Sequence, residues 1–525
     1  MGLYLNPNAD AFLQNKNSRI YVDKSMILGE LNQILCTNED FVCMSRARRF
    51  GKSMAGNLIS AYYSKGCDTR EVFSGMKIGQ LPDFDRYLNK FNVIKLDLNG
   101  FFQRTTPREL LIDEINETVR KEFKNQFPDL KFNDTDDIGK CMLQVYDTTG
   151  EKFVIIIDEY DVLVREKVSS KLFDSYLSFL NGLFKDTILR PAIALAYITG
   201  ILPIVRDKIQ SKLNEFTEYT MVNPRQFAEH IGFTKDEVEA LCRQYGMDAS
   251  ECARWYDGYG FSSTVHIYNP LSVVSAMRDG AFDNYWTTTS SFEALKEYIM
   301  LNFNGIKEDV ISMISGASVP VNVLKFQNTF ESINSKDNVF TYLIHLGYLA
   351  YDREHKTCRI PNEEVRVEWI NSIEDEANYE SVMDIINTSK KLLDDTINGN
   401  EQAVAQALND AHTAVTSNLT YNDEHCFQSA ICLAYFYANT RYTLVKELPT
   451  GKGYADLVLI PYLPNIPALV IELKHNKSAA SALAKIRAKN YCEALNHYQG
   501  DLLFVGISYD EKTKEHECRI EKVSD

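Results

Sequence analysis

The chain has 525 residues, of which 45% are apolar and 24% charged, and its formal net charge is −16. Length over ~150 suggests about three domains with full cores, so a disordered chain is excluded, and the acidic balance excludes a protein that coats nucleic acid with its whole surface, though a local basic groove stays open. Eleven cysteines are scattered without a C-x-x-C pair, which argues against zinc ribbons and a disulfide framework and for reduced thiols in a cytoplasm.

In chain order, residues 1–19 are polar from the start and show no apolar signal core. No uncharged apolar run reaches ~18 residues, so no membrane span is expected. Residues 1–215 alternate short apolar runs (41–44, 93–98, 153–157 and 192–198) with amphipathic stretches. Continuous apolar runs of strand length suit strands buried on both faces, as in a parallel α/β sheet. Residues 216–375 read as mostly helical, for example over 235–245 and 292–301, with an aromatic turn, Trp255-Tyr256-Asp257-Gly258-Tyr259-Gly260-Phe261. Residues 376–525 begin helical, including 403–415. Strand-like runs follow at 442–447, 454–460 and 468–473, then a helix at 479–495 and a strand at 502–507. The expected architecture is a P-loop α/β domain (1–215), a helical lid or winged-helix-like region (216–375) and a second α/β domain (376–525).

The run at 41–44 leads into Ser45-Arg46-Ala47-Arg48-Arg49-Phe50-Gly51-Lys52-Ser53 and an amphipathic helix at 54–63. Strand, loop, Gly-Lys-Ser and helix form the context of a phosphate-binding loop. Gly51 lets backbone approach phosphate, Lys52 reaches the β/γ oxygens, and the Ser53 hydroxyl ligates magnesium. Arg46 replaces the usual first glycine. The run at 153–157 ends in Asp158-Glu159. Carboxylates ending a buried strand need a cation or water, so Asp158 is expected to hold magnesium and Glu159 to orient the attacking water. The plainer reading is a strand followed by a helix that Asp158 caps. Thr199, ending the run at 192–198, could sense the γ-phosphate or be a strand-end hydroxyl. Arg48, Arg49 and Arg206 could touch phosphate or act across a subunit interface, which leaves a homo-oligomer open; a solvated arginine is the default for each.

In the third region, Asp456 starts one strand, and Glu472 and Lys474 lie two apart on the next, hence on one face. If 461–467 turns these strands into a hairpin, Asp456 comes near Glu472. Two carboxylates so placed bind magnesium or manganese through oxygen, with the lysine positioning water or stabilising charge on phosphate. Glu424, on a helix expected over 423–437, could supply a further ligand. The pattern D…E-x-K is loose, and an exposed Glu–Lys pair on an edge strand is the bland alternative. Favouring a nuclease core are the order helix, strand, strand, helix and the basic stretch from Lys474 through Lys485, Arg487 and Lys489, which could track a nucleic-acid backbone. Tyr491 could stack on a base or sit in the core.

These residues resemble a family of bacterial proteins that join an AAA-ATPase-like domain to a C-terminal PD-(D/E)xK nuclease-superfamily domain. The similarity runs through Tyr21-Val22-Asp23-Lys24-Ser25, the loop at 46–53, Ile157-Asp158-Glu159-Tyr160-Asp161, Thr199-Gly200-Ile201, Trp255-Tyr256-Asp257-Gly258-Tyr259, Tyr268-Asn269-Pro270, Leu346-Gly347-Tyr348-Leu349, Pro361-Asn362-Glu363-Glu364-Val365, Ala455-Asp456 and Ile471-Glu472-Leu473-Lys474. Within it the missing glycine at Arg46 is a family trait. The resemblance implies a RecA-like ATPase core, a restriction-endonuclease-like C-terminal domain, ATP and magnesium as cofactors, and a nucleotide-gated machine acting on DNA in defence or mobile-element biology. The rival is a nucleotide-switch scaffold whose nuclease fold binds nucleic acid or protein without cleaving.

Overall fold

The computed structural model describes residues 2–166, 168–204, 213–261, 265–286, 305–314, 316–326, 333–374, 380–415, 431, 434, 435, 437, 438, 441–449, 454–461, 466–489 and 500–523. It divides into two compact units, one of residues 1–306 and 318–366, the other of 307–317 and 367–525. Among the described residues, no helix is long and apolar enough to cross a membrane.

The main sheet of the first unit comprises β1 (Phe41–Ser45), β2 (Asn92–Asp97), β3 (Phe153–Asp158), β4 (Ile193–Gly200) and β5 (Thr217–Tyr219). The order is β2-β3-β4-β1-β5, and every pairing is parallel. β1, β3 and β4 are buried along their whole length, which is why the sequence shows unbroken apolar runs there. Helix Leu111–Gln126 adds Ile115, Val119 and Phe123 to the core formed with Ile155 and Ile157. β5 went unread: Thr217-Glu218-Tyr219 is a short, partly exposed edge strand with no hydrophobic period. Since the strands are parallel, their carboxyl ends share one edge, where open α/β sheets bind ligands.

Later parts of this unit add two small sheets. β6 (Phe233–Thr234), β7 (Tyr259–Gly260) and β8 (His266–Tyr268) pair in the order β6-β8-β7. β9 (Val319–Pro320), β10 (Ala350–Asp352) and β11 (Thr357–Arg359) pair in the order β10-β11-β9. Helix Lys235–Tyr245 starts at a capping box of Thr234 and Glu237 and stops at left-handed Gly246. The helix read over 292–301 lies outside the described residues.

The Trp-Tyr-Asp-Gly-Tyr turn is a junction. Gly258 (φ +118°) lies so close to Pro361 that a β-carbon would fall 2.0 Å from its carbonyl oxygen. The Tyr259 hydroxyl donates to the Gly347 carbonyl (2.6 Å), Arg359 Nη2 to the Gly258 carbonyl (3.1 Å), and Asn362 Nδ2 to the Asp257 carbonyl (2.8 Å). Buried Glu364 accepts from the backbone N–H groups of Tyr285 and Trp286 and from Ser272 Oγ, all at 2.8 Å.

In the second unit, β12 (Tyr442–Pro449), β13 (Tyr454–Pro461), β14 (Ala468–His475), β15 (Leu502–Asp510) and β16 (Glu515–Val523) form one sheet in that order. β14 and β15 are parallel and the other pairs antiparallel. Helices Glu380–Ile397 and Glu401–Val415 bring Leu392, Leu393, Val404 and Leu408 onto Leu459, Leu469, Ile471 and Val505. Helix Ala479–Lys489 sets Leu483 and Ile486 against Val458, Val470 and Phe504. β16 went unread because its alternation carries charge at most outward positions, the pattern of a tail as much as of an edge strand.

Glu364 yields a stability test. Burial raises its carboxyl to about 7, against the pull of its three hydrogen-bond donors. Glu364→Ala orphans those donors and is expected to cost about 3 kcal/mol in chemical denaturation. A folded pKa above the ordinary ~4.3 means the folded chain holds the proton longer, so this stabilisation fades with rising pH. Relative to Glu364→Gln, the wild type should lose stability from about pH 5 to about pH 7 and then level off; a pH-independent difference would contradict the assignment.

Candidate functional site

β1 delivers the chain to the sheet's carboxyl edge, and the loop enters helix Lys52–Tyr63 through Gly51 at φ +92°, a conformation that favours glycine. Lys52 Nζ folds back onto its own loop, donating to the carbonyls of Arg46 (3.0 Å) and Ala47 (2.9 Å). Burial lowers its ammonium to about 8, opposed by attraction to Asp158. Exposed Ser53 lies near enough to Asp158, at the end of β3, to act on its carboxyl. Burial raises the Asp158 carboxyl, and Ser53 and Lys52 pull it the other way.

A cavity of about 740 Å³ opens over this loop, lined by Arg48, Arg49, Phe50, Gly51, Lys52 and Ser53 together with Glu159 and Arg165. Arg48 and Arg49 are exposed. Asp158 and Thr199 stand behind the lining as register partners on β3 and β4, and the Thr199 hydroxyl is buried with no hydrogen-bond partner among the described residues. Further out, the walls include Ile20, Val22, Phe233 and Leu271, with His230. Burial, then Lys24 and Arg46, lower the His230 imidazole to about 4, so it is neutral near pH 7. The donor set fits a nucleotide with a hard cation: a lysine and two exposed arginines for phosphate, a hydroxyl near a carboxylate for the metal. Arg206 lies outside the described residues.

The Glu159 backbone has φ +54°, and its carboxylate accepts from Arg165 Nη2 at 2.5 Å. Arg165 Nε also lies 3.3 Å from Asp161 Oδ2, which accepts from the backbone N–H groups of Ile201 (3.0 Å) and Leu202 (2.9 Å). Sequence reasoning missed Arg165; the available signal was its i,i+4 spacing from Asp161 just after the acidic strand end.

Arg46 is fully buried. Its Nη1 donates to the carbonyls of Ser45 and Tyr219 (both 3.0 Å) and its Nη2 to that of Phe227 (3.3 Å), with the guanidinium 5.2 Å from the Phe261 ring centroid. Burial lowers its pKa to about 10. Ala47 packs against Gly347 (φ +92°), where a β-carbon would lie 2.6 Å from Ala47 Cβ. Phe50 meets the Tyr259 ring edge-on at 5.1 Å. The loop is thus held from β5, from the Trp-Tyr-Asp-Gly-Tyr turn and from the Leu-Gly-Tyr turn.

In the second unit, β13 and β14 pair antiparallel with Leu457 opposite Ile471. This brings Asp456 beside Glu472: Asp456 Oδ2 accepts from the Leu473 N–H at 2.8 Å. Glu472 is completely buried. Lys474 Nζ donates to Glu472 Oε1 (2.9 Å) and to the Leu473 carbonyl (3.1 Å). Lys485 contacts the same Oε1 and lies 3.8 Å from Asp456 Oδ1. Asp456, Glu472 and Lys474 therefore converge, while Glu424, Tyr491 and the Lys489 side chain lie outside the described residues. The basic stretch is partly consumed within the domain, since Lys485 turns inward and Arg487 pairs with Glu521. Among the described residues, no three acidic, histidine or cysteine side chains form a metal-sized cluster. Two carboxylates still suit a hard cation; ammonium groups supply the countercharge here.

Residues 12–210 match a family model described as "Predicted AAA-ATPase", and residues 422–518 match one described as "PD-(D/E)XK nuclease superfamily". A curated Azotobacter chroococcum mcd 1 protein, "Uncharacterized protein in vnfD 5'region", is 23% identical over 267 residues, 47% of this chain and 47% of that protein. The chain thus spans about half the length of the curated relative it matches. Among solved structures, the Aeropyrum pernix ORC2 protein (ADPNP-ADP complexes) overlaps at 9% identity, covering 70% of this chain and 98% of that one, with a TM-score of 0.29. The Aeropyrum pernix ORC1 protein in complex with DNA overlaps at 11% identity, 71% and 98%, with a TM-score of 0.25. Overlap that loose carries no argument. The two family matches fall on the stretches that hold the two sites, and the chain joins an AAA-ATPase-like domain to a domain of the PD-(D/E)XK nuclease superfamily.

Proposed function

We propose that the protein binds and hydrolyses ATP with magnesium and couples that cycle to a metal-dependent, nuclease-like site acting on DNA. The observation that carries the ATP half is the cavity over the loop, where Lys52 and Ser53 face Glu159, the neighbour of Asp158, at one sheet edge. In this reading Lys52 leaves its loop carbonyls for the β/γ-phosphate oxygens. Ser53 and Asp158 hold magnesium, which neutralises phosphate charge when bound. Glu159 orients water once released from Arg165, and Thr199 senses the γ-phosphate beside Asp158. Exposed Arg48 and Arg49 meet phosphate or a second copy of the chain. Residues 216–375 act as the lid that turnover moves.

For the nuclease half, Asp456 and Glu472, with Glu424 as a further ligand, hold magnesium or manganese, which supplies an activated water and charge relief on phosphate. Lys474 adds a fixed positive charge beside that position. A cytoplasmic setting in defence or mobile-element biology rests on the family resemblance alone. One observation favours the rival switch reading: two lysines already neutralise the carboxylates.

Two outcomes test the proposal. A Lys52 that titrates near 8 in the nucleotide-free chain must be protonated to hold ATP. The last phosphate ionisation, near ~6, is complete by then, so ATP affinity should weaken above pH 8 by up to about tenfold per pH unit. Lys52→Arg should abolish that slope, and Lys52→Ala should bind poorly at every pH while staying folded. A flat profile from pH 8 to 9.5 would refute the lysine assignment.

Plasmid incubated with the protein, ATP and magnesium or manganese should be cut, and EDTA should stop it. Asp456→Ala, Glu472→Ala and Lys474→Ala should each slow cutting by about a hundredfold or more, without additivity, because they act as one unit. Cutting that survives Glu472→Ala would refute the site. Intact plasmid under every metal, with ATP binding retained, would favour the switch.

A further inference from the structure

We propose that Lys485 is the resident counter-ion of the Asp456–Glu472 pair, and that a divalent cation enters only by displacing it. The inference rests on the metal-site reading above.

Glu472 is completely buried, so its charge must be met by a partner. Its Oε1 carries two ammonium groups, Lys474 at 2.9 Å and Lys485 in direct contact, and Lys485 also reaches toward Asp456 Oδ1 at 3.8 Å. Among the described residues, two carboxylates here meet two ammonium groups. A metal ion arriving there meets two positive charges already in place, so one must leave.

The geometry selects which. Lys474 lies on β14 with its target, is also bonded to the Leu473 carbonyl, and is 15% exposed. Lys485 comes from another element, helix Ala479–Lys489, and is 26% exposed. Its four-carbon stem can swing the ammonium outward while the helix stays packed through Leu483 and Ile486.

The reach of Lys485 is built into the backbone. Gly506 on β15 is the register partner of Glu472. A β-carbon there would fall 2.4 Å from the Ala479 carbonyl oxygen and 3.1 Å from Ala482 Cβ. Glycine therefore lets the helix close on the sheet beside the buried carboxylate, and Lys485 lies one turn further along it. Once displaced, its ammonium stands at the site's mouth, available to the phosphate that follows the metal.

Binding separates this inference from activity. Manganese is titrated into the nucleotide-free full-length chain at pH 8, and free ion is read by electron paramagnetic resonance. Lys485→Met and Lys485→Gln should each bind one manganese at least about tenfold more tightly than wild type. That gain should vanish when Glu472→Gln is added, and Lys485→Arg should keep wild-type affinity. Thermal melts of each variant establish that it is folded; two neutral replacements guard against one failing to fold. If neither neutral variant gains affinity, while Glu472→Gln still loses a manganese site, the displacement idea is overturned and the metal reading stands. If Glu472→Gln loses no site in any background, the metal reading falls, and this inference with it.

Discussion

A buried guanidinium under the nucleotide loop sets what the first unit can do. Arg46 stands where such loops usually carry glycine, with no accessible surface. Burying a charge costs several kcal/mol unless hydrogen bonds offset it. Here the offset comes from three carbonyls, two of them on segments far along the chain, and from the face of Phe261. The loop is consequently tied to β5 and to residues 225–227. Ala47 against Gly347 and Phe50 against Tyr259 extend the tie. The Tyr259–Gly347 hydrogen bond and the Gly258–Pro361 contact continue it into the Pro-Asn-Glu-Glu segment. Motifs hundreds of residues apart in sequence are one packed network within the first unit.

Both sites hold their charged groups on internal partners. Lys52 rests on loop carbonyls, Glu159 on Arg165, and Glu472 on Lys474 and Lys485. In the proposed function each of these contacts is exchanged for a ligand contact before chemistry begins. Such exchange has a thermodynamic consequence: a ligand gains only the difference between its own contacts and those it replaces.

Much of this was legible in the sequence, and the reason is local. Strands buried on both faces announce themselves as apolar runs, so the places of Lys52, Ser53, Asp158, Asp456, Glu472 and Lys474 beside or within strands could be read from motif and pattern, while their roles belong to the proposal. What escaped depends on contacts distant in sequence. Thr217–Tyr219 and Glu515–Val523 are edge strands with weak patterning. Lys485 read as part of a basic stretch that could track a nucleic-acid backbone, because a lysine looks alike in either role; only the close approach permitted by Gly506 turns it inward. Arg46 read as a departure from a glycine motif, since its partners, Tyr219 and Phe227, carry no motif of their own.

The most direct test of the network is equilibrium denaturation of Arg46→Gly with and without ATP and magnesium. The substitution restores the glycine that phosphate loops ordinarily carry. If Arg46 is the tie, the variant should lose at least about 3 kcal/mol of stability, because charged hydrogen bonds and packing go together, and its stabilisation by ATP should shrink. A variant as stable as wild type that binds ATP equally well or better would contradict the account.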